Sequence, residues 1–138
     1  FIKAYSVAQQ HPKSVVLGAD TIVTLNGKIL GKPQDRAHAR TMLRHLSGHR
    51  HQVITGIALI RGEQIRVNRS IAVCHIRKLP ESWLEKYLDS NLWQGKAGSY
   101  GIQDHADPWV RLLKGEFSTV VGLPMSLVAR ELKYFITP

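Results

Sequence analysis

Apolar and polar positions switch between two periods along this chain, and each switch marks an element. Phe1 to Ala8 reads as part of an amphipathic helix that opens without an N-cap, and His11-Pro12 ends it. Ser14 to Leu17 begins a β-branched strand that closes at Gly18-Ala19-Asp20-Thr21. Ile22 to Leu25 is a second run, and it meets Asn26-Gly27, the dipeptide most suited to a tight hairpin, before Lys28-Ile29-Leu30 returns. Gly31-Lys32-Pro33 stops that return strand. Asp35 then suits the N-cap of a helix whose Ala39, Met42, Leu43 and Leu46 fall at helical spacing, with Gly48 at its end.

Gln52 to Ile60 and Ile65 to Ile76 read as paired antiparallel strands around Arg61-Gly62-Glu63, and the even spacing of Ile65, Val67, Ile71 and Val73 predicts one apolar face. Leu79-Pro80-Glu81 starts a helix with Trp83, Leu84, Tyr87 and Leu88 on one side, which fades at Asp89-Ser90-Asn91. From Gly95 to Gly122 the chain is glycine-rich and polar with short apolar runs, the composition of loops that carry a site over a scaffold. Pro124 opens a last helix with Met125, Val128, Ala129, Leu132 and Phe135 expected inward. The alternation predicts an α/β or α+β fold, a mixed twisted sheet flanked by helices. With 138 residues, 43% of them hydrophobic, one domain over 1–138 can hold one core.

Composition narrows the partners. A formal net charge of +9 attracts polyanions such as nucleotides, nucleic acid or acidic membrane surfaces, but the basic residues are spread out and also suit an ordinary solvated surface. The single Cys74 excludes a disulfide framework and a multi-cysteine zinc site. No apolar run approaches the roughly 18 residues of a membrane helix and no signal segment opens the chain, so the expected setting is the cytoplasm, with no membrane partner. His45, His49 and His51 straddle a helix end and a strand start and need not converge on a metal. Asp104-His105-Ala106-Asp107 has ligand types but also suits a solvated turn. Trp83, Trp93 and Trp109 are too scattered in sequence for a stacking platform.

Three short segments carry candidate chemistry. In Gly18-Ala19-Asp20-Thr21 a carboxylate stands among small residues, where it can hold a divalent metal or accept a proton. In Gly31-Lys32-Pro33 an ammonium between a flexible and a rigid residue can be presented to a phosphate. In Tyr100-Gly101-Ile102-Gln103 an amide can both donate and accept, which suits a base edge or a phosphate. Each alone also suits a plain turn or strand.

Taken in order with Leu46-Ser47-Gly48, His51-Gln52-Val53-Ile54-Thr55-Gly56, Lys96-Ala97-Gly98-Ser99 and Val120-Val121-Gly122-Leu123-Pro124, these segments resemble the Maf family of nucleoside triphosphate pyrophosphatases, in particular its dTTP- and UTP-hydrolysing branch. The resemblance implies the fold shared with inosine triphosphate pyrophosphatases. It also implies Asp20 as general base or ligand of a magnesium or manganese ion, and Lys3, Lys32 and Gln103 as contacts to a nucleoside triphosphate substrate. Thr21 and Thr55 are supporting candidates. Asp20, Lys32 and Gln103 are expected to converge on one cleft. Two positions depart from the family pattern: Asp104 stands where glycine follows the glutamine, and Gly95 where an acidic residue precedes Lys-Ala-Gly. The family's opening strand, with its Ser and paired Arg, has no counterpart after Phe1, so an open edge is expected along Ser14 to Thr21, and with it a homodimer. The rival expectation is a basic protein of this kind that binds nucleotide or nucleic acid without turnover.

Overall fold

The computed structural model describes residues 1–103 and 109–136. Its strands are β1 (Val16–Leu25), β2 (Lys28–Leu30), β3 (Arg50–Arg61), β4 (Gln64–Ile76) and β5 (Val110–Lys114), and its helices are α1 (Ile2–Gln10), α2 (Arg36–Leu46), α3 (Glu81–Asp89), α4 (Phe117–Val121) and α5 (Met125–Ile136). They build one five-stranded sheet in the order β2-β1-β3-β4-β5. The expected α/β layering holds, but every ladder among the described residues is antiparallel, and the only parallel contact there is an isolated bridge from Ser47 to Ile76. Each ladder joins strands linked by a hairpin or a return connection, which favours that direction.

Gly18-Ala19-Asp20-Thr21 does not end a strand. It lies inside β1, paired residue by residue with Ala58 to Thr55 of β3. The turn comes only at Asn26 and Gly27, whose φ values of 49° and 77° are those of a two-residue hairpin. Asp35 caps α2 as expected, accepting the His38 N–H at 2.7 Å, while Gly48, at φ 76°, follows the C-cap Ser47. β5 is an element that the sequence pattern does not announce.

The two sheet faces are covered unequally. On one face lie α2, α3, α4 and α5, which bury Val53, Cys74 and Ile76 with Leu43, Leu46, Leu84, Leu88 and Trp93 in the main core. α5 adds a second cluster, packing Leu127, Val128 and Phe135 on Ile57 and Leu59. Among the described residues the other face carries only α1, whose Ala4 and Ala8 sit on Ala58, Ile60 and Val16. The apolar stripe foreseen in β4 belongs to this second face: Ile65, Val67 and Ile71 are 44%, 61% and 43% exposed. α5 is also rotated from its expected face, with Met125 exposed and Glu131 buried. Burial of Glu131 is made possible by Arg66, whose Nε and Nη2 lie 2.9 and 2.8 Å from its carboxylate, and by Asn68 at 3.1 Å. Those partners hold its carboxyl below the usual range against the opposing effect of burial. Trp83 and Trp109, distant in sequence, do meet, with ring centroids 5.5 Å apart, and Trp83 stacks on Tyr87 at 5.0 Å.

α1 reaches the sheet through a glycine. A Cβ on Gly18 would stand 2.8 Å from the Ala4 Cβ, inside van der Waals contact. Gly18→Ala should therefore push α1 outward and cost about 1–3 kcal/mol, read as a lower midpoint in urea unfolding at unchanged slope. An unchanged midpoint would mean that α1 does not pack as described.

Candidate active site

Side chains alternate along a strand, so Asp20 and Thr21 face opposite sides of the sheet. The sequence-predicted residues divide the same way. Thr21, Lys32 and Gln103 line a cleft of about 240 Å³ together with Val23, Val53, Tyr100 and Val121. Asp20 and Lys3 line a broader concavity of about 540 Å³, with Ala4, Gly18, Gly56 and Val67. Lys32 and Gln103 thus share one cleft as expected, while Asp20 is grouped with Lys3 across the strand.

The expected meeting of Asp20 with Lys32 and Gln103 in one cleft is therefore not what the structure shows, because the pleat of β1 turns Asp20 to the concavity on the other side of the strand. In a two-residue hairpin the flanking pair, here Leu25 and Lys28, is hydrogen-bonded, so odd-numbered residues of β1 aim their N–H toward β2. β2 reaches only Val23, and the Thr21 N–H beyond it is met by Asp20 Oδ1 at 3.1 Å. That bond folds the carboxylate over the edge of β1, which among the described residues has no strand partner from Val16 to Ile22. One oxygen is used by the backbone and the side chain is exposed.

The segment carrying Gln103 is pinned above β1 by glycine. Gly98, at φ 69°, brings its backbone so near Val23 that an added Cβ would lie 3.1 Å from that side chain. Its N–H donates to Gly31 O at 3.1 Å, which couples the loop to the turn bearing Lys32. Beneath it, Tyr100 is buried and its hydroxyl is 2.5 Å from Nε2 of the buried His51. Sequence reasoning weighed His51 only as a metal ligand, whereas it supports the loop from below. Burial holds His51 neutral, with a pKa of about 4, and raises that of Tyr100.

Thr55 and Thr119 are fully buried and complete the wall. Thr55 Oγ1 lies 2.8 Å from Thr21 Oγ1 and donates to the carbonyl of Thr119 at 2.8 Å, and Thr119 Oγ1 pairs with Ser70 Oγ at 2.8 Å. Thr119 was not anticipated, because nothing in its sequence context distinguishes it from a loop threonine. Among the described residues no group of three or more His, Cys, Asp or Glu is arranged to hold a metal, and His45, His49 and His51 do not form one. Asp104 to Asp107 lie outside the described residues.

A fold of this topology with a lysine, a glutamine and a strand-edge carboxylate around one strand fits a nucleotide-handling class, and comparison with known proteins agrees. The family described as Maf-like protein matches residues 2–135. The chain belongs to that family. It is 47% identical over 133 residues to a dTTP/UTP pyrophosphatase of Shouchella clausii, covering 96% of this chain and 70% of that protein. It is 42% identical over 128 residues to a dTTP/UTP pyrophosphatase of Pyrococcus furiosus, covering 93% and 67%, and 42% identical over 139 residues to one of Clostridioides difficile, covering 99% and 72%.

The buried His51 gives the site a pH dependence whose sign is fixed. Its folded pKa of about 4 lies below the ordinary 6.5, so between those values the unfolded chain binds the extra proton. Stability present above pH 6.5 is then lost as pH falls toward 4, by up to about 3 kcal/mol. Urea unfolding across that window should show the loss, and His51→Gln should flatten it; the same slope in the variant would assign it to other groups.

Proposed function

We propose that this chain hydrolyses dTTP and UTP to the nucleoside monophosphate and pyrophosphate. The observation that carries this reading is the meeting of Thr21, Lys32 and Gln103, from three separate segments, in one cleft, with Asp20 adjacent to Thr21 in β1. Relatives at 42–47% identity named dTTP/UTP pyrophosphatase support it.

In this reading the Lys32 ammonium meets the phosphate chain and offsets the charge that gathers on the leaving pyrophosphate. Gln103, with both a donor and an acceptor, fixes the nucleotide. Asp20 takes a proton from the water whose oxygen bonds to the α-phosphorus while the bond from that phosphorus to the bridging oxygen breaks. Lys3, in the same concavity as Asp20, offers a second ammonium to the phosphates. The donor set fits a magnesium or manganese ion held mainly by water and substrate, because Asp20 offers a single hard oxygen ligand and one of its oxygens is committed to Thr21 N–H. Such an ion would be held by Asp20 and would supply charge neutralisation at the phosphates.

The proposal extends to a cytoplasmic setting, where nucleotide pools are turned over, and to a homodimer. No helix among the described residues is long and apolar enough to cross a membrane.

Pyrophosphate release from dTTP and UTP with magnesium is the direct assay. Asp20→Asn should lower kcat by about 10²–10⁴-fold with little change in KM, since the lost charge acts on the attacking water. Unchanged turnover in that variant would remove Asp20 from the reaction. Salt-sensitive binding of DNA or RNA without turnover would favour the rival reading.

A further inference from the structure

The sheet face that α1 covers only in part carries a row of basic groups at its uncovered end. His51, Val53, Cys74, Ile76 and Leu112 turn toward the helix layer. Arg50 of β3, His75 of β4 and Arg111 of β5 alternate with them and therefore turn to the opposite side. The three are in register, Arg50 paired with His75 and His75 with Arg111. Cross-strand partners share a face and neighbouring strands lie about 4.8 Å apart, so the row spans about 10 Å. α1 packs at the far end of this face, on Ala58 and Ile60, and Arg50 and Arg111 are exposed.

Elsewhere the chain matches arginines with acids. Arg36, Arg40 and Arg44 meet Glu81, Glu85 and Asp89, and Arg66 and Arg130 meet Glu131. Among the described residues, Arg50, His75 and Arg111 have neither an ion pair nor a side-chain hydrogen bond. A guanidinium can only donate, so the row presents N–H groups that no side chain accepts. Arg50 also lines a concavity of about 320 Å³ beside the hairpin turn, with Thr24, Asn26, Gly27 and Gln52, whose hydroxyl and amides add donors to its guanidinium. The next rungs of the face are Thr24–Gln52–Val73 and Ile22–Ile54–Ile71, without an aromatic ring on which the bases of a nucleic-acid strand could stack.

We propose that this row is a second anion site, which takes a free oligophosphate of two or three linked phosphates. Inorganic polyphosphate and the phosphate chain of a free nucleotide share that chemistry, and either fits a row about 10 Å long. The site is separate from both concavities beside Asp20 and Thr21. Thr21 faces the helix layer, and Gly56, the β3 partner of Asp20, lies six residues along the strand from Arg50, about 20 Å away. The inference holds whether or not the cleft turns a nucleotide over.

Calorimetric titration of inorganic tripolyphosphate in EDTA tests it, with Lys32→Gln as background so that the cleft contributes less. That variant should still bind one tripolyphosphate per chain. Adding Arg50→Gln and Arg111→Gln should weaken the binding by about tenfold or more, with the urea midpoint unchanged because both side chains are exposed. Adding Lys13→Gln and Lys133→Gln instead removes the same charge from exposed positions elsewhere and should leave the binding as it was. No binding in the Lys32→Gln background, binding that survives loss of the two arginines, or equal weakening by the lysine pair would overturn the site. UTP in place of tripolyphosphate distinguishes the sources: tighter binding of UTP to the row identifies a nucleotide, and equal or weaker binding identifies the inorganic chain. A short oligouridylate that binds more tightly than either, and loses this with the two arginines, would transfer the row to nucleic acid and overturn the assignment to a free oligophosphate.

Discussion

Strand β1 can show each of its side chains to only one face, and the organisation of this protein follows from how it uses that constraint. Asp20 and Thr21 are adjacent, yet the pleat sends them apart. The chain accommodates this by building a concavity on each side of the same peptide, one under α1 and one under the loop that carries Gln103. The hydrogen bond from Thr21 N–H to Asp20 Oδ1 turns the carboxylate toward the open edge of the strand. β3 holds β1 rigidly along nine paired positions from Val16 to Thr24, so neither residue can drift from its side.

Both concavities depend on close backbone approaches that only glycine permits. Gly18 lets α1 lie against β1 and so fixes Lys3 on the Asp20 side. Gly98 does the same for the opposite loop by resting on Val23, and its bond to Gly31 O ties that loop to the Lys32 turn. The His51–Tyr100 pair below the loop is buried and polar: the Tyr100 hydroxyl meets Nε2 of His51, while His51 Nδ1 is buried without a hydrogen-bond partner. Function in this fold is carried by loops, but the loops are held by the sheet.

Much of the layering was legible in the sequence because it rests on local chemistry. Asn26-Gly27 dictated the hairpin, Asp35 the start of α2, and the period of Val53 to Ile60 and Ile65 to Ile76 the long central pair. What stayed hidden depends on long-range context. Gly18 resembled a turn residue until α1 was seen packed on it. The stripe of Ile65, Val67 and Ile71 was legible as one apolar face, but periodicity reports which residues share a face, not whether that face is covered. Glu131 is not among the α5 residues expected inward, since its burial relies on Arg66 and Asn68 some sixty residues earlier in the chain. The candidate site residues come from the order of short motifs, while their division between two concavities needed the register of β1.

The central claim is that one nucleotide occupies the cleft beside β1 with its phosphates directed to the strand edge at Asp20. A crystal structure of the chain with a non-hydrolysable α,β-linked analogue of UTP tests this most directly. The account predicts the base among Thr21, Val53 and Val121, with the α-phosphate within reach of Asp20 and the remaining phosphates near Lys32. An analogue lodged instead against the exposed face of β4, or one whose phosphates point away from Asp20, would contradict it.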